Sequence, residues 1–498
     1  MTTPGAGYEA MLAEAVRLDR AGRFTEAIEA YVRLLDSWPG LPNCWYNLGL
    51  LQRRAGNYRA ALAAYQEALE RGVSQPEEVH LNRGVVYSDG LLEYEAAERE
   101  LEQALRLNPS YIPALINLAN LHEDLGRKDR AAAVYERILA LAPQNSHALS
   151  RYAGLTAFTT LDDPLIARLR QALARPNVSA ADRANLEFAL GRALDSCGAY
   201  DLAFEMYRSA NRHSRESVAM SFREYDLKRE EQFVAAIIAA FPRAEQVQDP
   251  RLESVSKATA HPAPIFICGM FRSGSTLTEH LLAGHPQIRA GGELDYLPRA
   301  VNSQLAPFPE SMSSVSAQKL ESLADDYLRM LRGLFPRAEH VTDKRPDNFL
   351  YIGLIKAMFP RAKIIHTQRD ALDNCLSIYF LHLDQGMSYA LDLMDIGHHY
   401  ALYRRLMRHW LALFGRDIHC VDYDELVVDP KTVMRGALDF LQLPWDDACL
   451  AVQSSGRPVK TASVWQVREP LYRRSSGRSR HYKRQLNALQ EYLAAVDR

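Results

Sequence analysis

Two patterns of apolar positions divide this chain. Over the first 150 residues, small and aromatic residues recur at fixed offsets. Ala27, Tyr31 and Pro39 return as Ala61 and Tyr65, then as Ala97, Leu101 and Pro109, then as Ala131, Tyr135 and Pro143. Ala27 to Ala61 and Ala97 to Ala131 are both intervals of 34 residues. Ala61 to Ala97 is two residues longer, which places an expanded turn around Asp89-Gly90-Leu91-Leu92. A period near 34 with small residues at fixed places predicts pairs of antiparallel helices. Ala27, Gly49, Ala61 and Ala119 let the helices approach, the aromatics fill the grooves, and the prolines end each second helix. A further unit returns at Gly191, Ala203, Tyr207 and Ala210. Between the two, Leu149 to Ala184 is helical but off-pattern, a degenerate repeat or spacer with breaks at Pro164 and Pro176.

From Ile265 the pattern changes to short apolar runs alternating with helical stretches. Strands are predicted at Ile265–Cys268, His340–Asp343, Ala362–Gln368 and Ile418–Asp422. Helices are predicted at Ser275–Ala283, Phe349–Met358, Asp373–Leu383 and His398–Leu413. Alternation of this kind predicts a parallel sheet covered on both sides, with ligands at the C-terminal ends of its strands. A charged, mostly helical stretch from Arg215 and a linker at 249–257 precede it, and the prolines of His261-Pro262-Ala263-Pro264 lead into the first strand.

The loop after that strand is the stretch with the clearest chemistry. Gly269-Met270-Phe271-Arg272-Ser273-Gly274-Ser275-Thr276 has the spacing of a phosphate-binding loop, G-x4-G-K-[ST]. Exposed N–H groups at a helix start, with the helix dipole behind them, favour an anion there. The lysine position holds Ser275, and Arg272 supplies a cation inside the loop. Four weaker constellations follow: Glu293 after Gly291-Gly292, Lys344 at the tip of the second predicted strand, Arg369 at the tip of the third with Ser377 eight residues on, and a tail rich in Arg, Ser and Tyr. Taken singly, each reads as a surface acid, a turn lysine, a surface Arg–Asp pair and a solvated face. Taken together, a phosphate cradle and a separate Arg/Ser grip suit a donor with two phosphate-bearing ends.

Composition narrows the class. The chain has 498 residues, too many for one ordinary core. Apolar content is 47%, charged content 24% and net charge −2, so the chain is globular and bulk charge points to no nucleic acid. No run of about 18 apolar residues predicts a membrane span, and the N-terminus does not read as a signal peptide. The six cysteines are scattered with no CxxC pair, which suits a reducing, cytoplasmic setting and argues against a zinc site.

The first half resembles tetratricopeptide repeats, with Trp45, Leu48, Gly49, Ala61, Tyr65 and Ala68 in that family's positions. That resemblance implies a protein partner or self-association, and Tyr46, Asn47, Asn82, Asn117 and Asn120 would line the concave surface. The second half resembles the sulfotransferase family over roughly 262–490, and within it the tyrosylprotein-sulfotransferase-like branch, through Arg272-Ser273-Gly274-Ser275-Thr276-Leu277. The expected architecture is an all-α tetratricopeptide solenoid at 8–148, a helical extension at 149–257 with a further repeat-like unit at 184–217, and an α/β sulfotransferase domain at 258–498.

The resemblance implies 3′-phosphoadenosine 5′-phosphosulfate as donor, with no metal. It implies Arg272, Ser273, Gly274, Ser275 and Thr276 at the 5′-phosphosulfate, and Arg369 and Ser377 at the 3′-phosphate. It further implies donor contacts from Tyr423, Ser463 and Arg478, a catalytic base in Glu293, and a cation at the leaving phosphate in Lys344. Ser463 and Arg478 would belong to a closing C-terminal loop. Arg478 stands where the branch has lysine, and the residues around Asp295 depart from the branch's acceptor-reading pattern. The expected acceptor is a protein or peptide tyrosine or a glycan hydroxyl, with small molecules open. The competing readings are a P-loop kinase or NTPase, which the absent lysine opposes, and a repeat scaffold with an inactive transferase domain.

Overall fold

The computed structural model describes residues 6–217, 224–242, 262–383, 387–451 and 476–496. It divides into two compact units, Met1–Ala148 and Leu149–Arg498. The predicted linker at 249–257 lies outside the described residues.

In the first unit, helices Ala6–Arg20, Phe24–Ser37, Pro42–Arg54, Tyr58–Glu70, Pro76–Val85, Tyr94–Leu107, Ile112–Asp124 and Lys128–Leu141 pack as four consecutive pairs. Ala27, Ala61, Ala97 and Ala131 are fully buried, as the repeat spacing requires. A Cβ on Gly49 would lie 2.5 Å from the Tyr65 ring, so the glycine is what admits the tyrosine. The two extra residues between Ala61 and Ala97 are absorbed by a π-helical turn, Val86–Gly90, followed by Leu92 at φ 57°. A π turn takes up additional residues without ending the helix. All five residues expected to line a groove are bonded within the array, Asn47 to the Tyr31 hydroxyl at 3.3 Å and Asn117 to the Pro113 carbonyl at 2.9 Å. Tyr46 donates to Glu78 at 2.7 Å, Asn82 donates to Tyr46 at 3.1 Å, and Asn120 accepts from Tyr135 at 3.2 Å.

The second unit begins with helices and ends in an α/β layer. Pro164 opens a helix, Pro164–Leu173, rather than interrupting one, and Asp163 caps it by accepting from the Leu165 N–H. Helices Ala180–Ser196 and Tyr200–Ser217 form the unit's most extensive helix contact. Gly191 faces the Tyr207 ring as Gly49 faces Tyr65, with a Cβ there 3.1 Å from the ring.

The sheet is five-stranded and parallel throughout: β1 Ala263–Gly269, β2 Ile288–Ala290, β3 His340–Lys344, β4 Lys363–Gln368 and β5 Ile418–Asp422, in the order β2-β3-β1-β4-β5. The edge strand β2 was not predicted; three residues are too few to show alternation. Phe266, Ile267, Ile364 and Ile365 are fully buried, because both faces of a parallel sheet are covered. Phe266 packs on Tyr327 and Phe359, while Ile265 and Ile267 join Leu281, Met434 and Leu438 on the other face. β1 is central, with β3 on one side and β4 on the other. Its C-terminal loop therefore sits where the chain changes sides, the position at which such sheets bind ligands. Among the described residues no helix is long and apolar enough to cross a membrane.

Filling the Gly49 contact should be costly. Gly49→Ala is expected to destabilise the chain by about 1–3 kcal/mol, read as a lower urea midpoint in far-UV circular dichroism. An unchanged midpoint would contradict the close packing on Tyr65.

Candidate active site

The loop after β1 is shaped by close backbone approaches. A Cβ on Gly269 would lie 2.3 Å from the Thr367 carbonyl, and one on Gly274, at φ 100°, would lie 2.6 Å from the Tyr423 ring. Arg272 itself adopts φ 69°, a conformation uncommon for any residue but glycine. Neighbouring polar groups hold the loop in place. Ser273 and Thr367 hydroxyls lie 2.7 Å apart, Asn374 donates to the Phe271 carbonyl at 3.0 Å, and the Thr278 hydroxyl donates to the Gly274 carbonyl at 3.2 Å. Helix Ser275–Leu282 starts directly after it, with Ser275 and Thr276 buried.

The loop meets the tip of β4. Arg272 Nε donates to Ser377 Oγ at 3.1 Å, and Arg369 Nη1 donates to the Arg272 carbonyl at 3.4 Å. The Arg369 guanidinium lies over the Tyr423 ring at 4.8 Å. Asp370 caps helix Ala371–Tyr379, which carries Ser377. Arg272, Gly274, Arg369, Ser377 and Tyr423, far apart in sequence, are thus brought together. Burial, then the Arg369 charge, pulls the Arg272 pKa down to about 10, with Tyr423 opposing and Arg478 adding to the fall. A guanidinium depressed in this way sits where an anion would relieve it.

Arg478 approaches from the C-terminal segment. Its Nη2 donates to Asp195 Oδ2 at 2.6 Å and its Nε to Oδ1 at 3.4 Å, while its guanidinium lies 5.0 Å from the centre of the Phe380 ring. Ser463, expected beside it, and Arg468, Arg473 and Arg474 of the basic tail lie outside the described residues.

On the other side of β1, the tip of β3 carries the second pair. The Lys344 side chain is fully buried and donates to Glu293 Oε1 at 2.6 Å; the Glu293 side chain is 39% exposed. The turn before Glu293 is fixed by the sheet. Gly291 N–H donates to the Thr342 carbonyl at 3.1 Å, Lys344 N–H donates to the Gly292 carbonyl at 2.9 Å, and a Cβ on Gly291 would lie 2.2 Å from the Thr342 carbonyl. Arg345 pairs with Asp295 at 2.7 Å and with Asp347 at 3.0 Å.

Two buried acids beside this tip escaped the sequence reading. Glu279 accepts from Thr342 Oγ1 at 2.6 Å and from Gly292 N–H at 3.0 Å, so it holds the turn that presents Glu293. Burial raises its pKa, with Lys344 opposing. Asp343 accepts from Tyr327 at 2.9 Å and Asn348 at 3.2 Å, and burial pushes its pKa up to about 7.

Residues 264–447 match the sulfotransferase family, and residues 12–76, 46–88 and 93–156 match tetratricopeptide repeats. The chain is 33% identical over 408 residues to an uncharacterized protein of Aquifex aeolicus, covering 79% of this chain and 52% of that protein. It is 28% identical over 220 residues to protein-tyrosine sulfotransferase A of Caenorhabditis elegans, covering 40% of this chain and 55% of that protein. The chain thus spans about half the length of these curated relatives. A solved sulfotransferase domain from the Synechococcus PCC 7002 olefin synthase aligns at 24% identity and a TM-score of 0.36, over 47% of this chain and 93% of that chain.

The raised Asp343 pKa has a definite pH signature. Between the ordinary value of 3.8 and about 7, the folded chain keeps a proton that the unfolded chain has released. This group's contribution to stability therefore falls as pH rises through that window. Asp343→Asn should flatten the fall, read from urea midpoints at pH 5 and pH 8; an equal fall in the variant would exclude Asp343 as its source.

Proposed function

We propose that this chain, which joins tetratricopeptide repeats to a sulfotransferase-family domain, transfers a sulfuryl group from 3′-phosphoadenosine 5′-phosphosulfate to an acceptor hydroxyl. The observation that carries this reading is the contact between Arg272 and Ser377, which ties the phosphate-type loop to the second anion grip at β4. A metal-bound triphosphate asks for a lysine in the loop and a metal-binding hydroxyl after it. Here the cation comes from Arg272, and a second guanidinium, Arg369, adjoins it.

The residues present fit such a donor. The loop bends so closely at Gly269 and Gly274 that a Cβ there would meet the Thr367 carbonyl and the Tyr423 ring, and the cations Arg272 and Arg369 are gathered beside it. The loop residues 272–276 would hold the 5′-phosphosulfate end, Arg369 and Ser377 the 3′-phosphate, with Tyr423 against the Arg369 face. Sulfuryl transfer forms an S–O bond to the acceptor oxygen and breaks the one to the 5′-phosphate. Glu293 takes the proton of the acceptor hydroxyl. Arg272, Lys344 and the loop N–H groups neutralise charge at the departing phosphate. The Lys344–Glu293 contact sets base and cation side by side at the tip of β3, so the two roles fall within one side chain's reach of each other.

The acceptor proposed is a tyrosine hydroxyl on a peptide or protein, supported by the relative named a protein-tyrosine sulfotransferase. A glycan hydroxyl is the alternative acceptor of the same chemistry. The tetratricopeptide repeats suggest a protein contact, whether acceptor, partner or a second copy.

Titration calorimetry tests the donor. The full chain should bind 3′-phosphoadenosine 5′-phosphate with micromolar affinity and ATP not at all; the reverse preference would leave the kinase reading standing. Arg272→Ala should weaken the 3′-phosphoadenosine 5′-phosphate affinity by roughly ten- to a hundredfold, the range of a charge-assisted hydrogen bond. Glu293→Gln should bind the same ligand as tightly as the parent while losing transfer to a tyrosine peptide.

A further inference from the structure

The helix pair Ala180–Ser196 and Tyr200–Ser217 looks like one more repeat, yet its outer face covers the helix that carries Ser377. Tyr207 stacks on Phe380 with ring centres 3.8 Å apart, Phe204 lies 5.7 Å from Tyr379, and Asn211 Nδ2 donates to the Tyr379 carbonyl at 2.9 Å. Asn185 meets His382 at 2.9 Å, and Phe188 stacks on the same imidazole. These contacts cap and buttress the C-terminal end of helix Ala371–Tyr379.

From this pair, Asp195 reaches Arg478. Both Asp195 oxygens are engaged: Oδ2 by Arg478 Nη2, Oδ1 by Arg478 Nε and by the Tyr482 hydroxyl. That contact uses one edge of the guanidinium. The Tyr207 hydroxyl bonds to the same guanidinium, and the charge of Arg478 is felt at Arg272. The backbone around Arg478 is fixed from the opposite direction. The Ser479 N–H donates to Asp373 Oδ1 at 2.6 Å, and the Gly477 N–H donates to Asp373 Oδ2. Asp373 stands one helical turn before Ser377 on the same helix. The turn at 477–482 is therefore clamped between two acids, one on the repeat-like pair and one on the anion-binding helix.

We propose that the repeat-like pair is part of the donor site, with Asp195 a positioning residue that holds Arg478 as a third guanidinium for the 3′-phosphate. This rests on the sulfotransferase reading above. A planar guanidinium anchored along one edge keeps its remaining N–H groups in a fixed direction, so less side-chain freedom is lost when an anion binds. The carboxylate also offsets the charge repulsion among three clustered cations, which otherwise opposes their approach in the empty site.

Two ligands read this directly: 3′-phosphoadenosine 5′-phosphate and adenosine 5′-monophosphate, which lacks the 3′-phosphate. In calorimetry on the full chain, Asp195→Asn should lower the ratio of the two affinities roughly tenfold, about 1.4 kcal/mol. The monophosphate affinity should stay unchanged. Arg478→Gln should lower the ratio by at least as much, and the double variant should lose no more than Arg478→Gln alone. A merely structural Asp195 weakens both ligands together, and that result overturns the proposal. A rise in the ratio overturns it too, since Asp195 would then be restraining the cation rather than aiming it. If Asp195→Asn fails to fold, Arg478→Gln alone decides, and an unchanged ratio there refutes the third guanidinium. Failure of the parent chain to bind 3′-phosphoadenosine 5′-phosphate would instead refute the sulfotransferase reading itself.

Discussion

Like-charge crowding at the end of β1 is the constraint that the second unit is arranged around. Arg272 is half-buried beside the buried Arg369, and its pKa is drawn down to about 10. Desolvating a cation costs several kcal/mol, and placing another nearby adds to it. A fold tolerates this only where the backbone is held firmly and an anion or acid supplies compensation. Both conditions are met here. The loop is bonded to β4 through Ser273–Thr367 and to the next helix through Asn374. The tyrosine ring at 423 offers its face to Arg369.

The same economy governs the other side of the sheet. Lys344 is fully buried, and it is compensated by Glu293 at 2.6 Å. Glu279 does not neutralise it by contact; its oxygen is spent on Thr342 and Gly292. That carboxylate instead fixes the glycine turn, and the turn fixes where Glu293 emerges. Position is thus passed from a buried acid, through backbone, to an acid that is partly exposed.

Much of this was legible in the chain, and the parts that were not share a reason. Gly269, Gly274 and Arg272 could be read because the loop is contiguous and its spacing is short. Arg369 and Ser377 could be read as a pair because one strand end and the following helix set their separation. The four helix pairs could be read because Ala27, Ala61, Ala97 and Ala131 recur at intervals near 34 residues. Glu279 could not, since a lone acid on a helix face has the same sequence signature whether buried or solvated. Neither could the Arg478–Asp195 contact, which joins residues 283 positions apart and has no local pattern. β2 is visible only as a partner of β3, since its three residues carry no alternation of their own.

The repeat-like pair shows why a local repeat predicts an element but not its neighbour. Gly191, Ala203, Tyr207 and Ala210 stand in the same register as Gly49, Ala61, Tyr65 and Ala68, and all eight are buried. Those positions determine how two helices pack on each other. What the pair packs against next is decided by the residues at its other positions, and by the face of Tyr207 that stacks on Phe380. In that register Asp195 replaces Arg53, Asn211 replaces Leu69 and Phe204 replaces Leu62. Asp195 supplies an acid for a cation, Asn211 a donor for a helix-end carbonyl, and Phe204 a ring for an aromatic cluster. Each has a complement later in the same unit: Arg478, the Tyr379 carbonyl, and the Tyr379 and Phe380 rings. A helix pair built by repeat rules has in this way been turned to face an anion-binding helix, through changes that include positions the repeat array buries, such as Leu62 and Leu69.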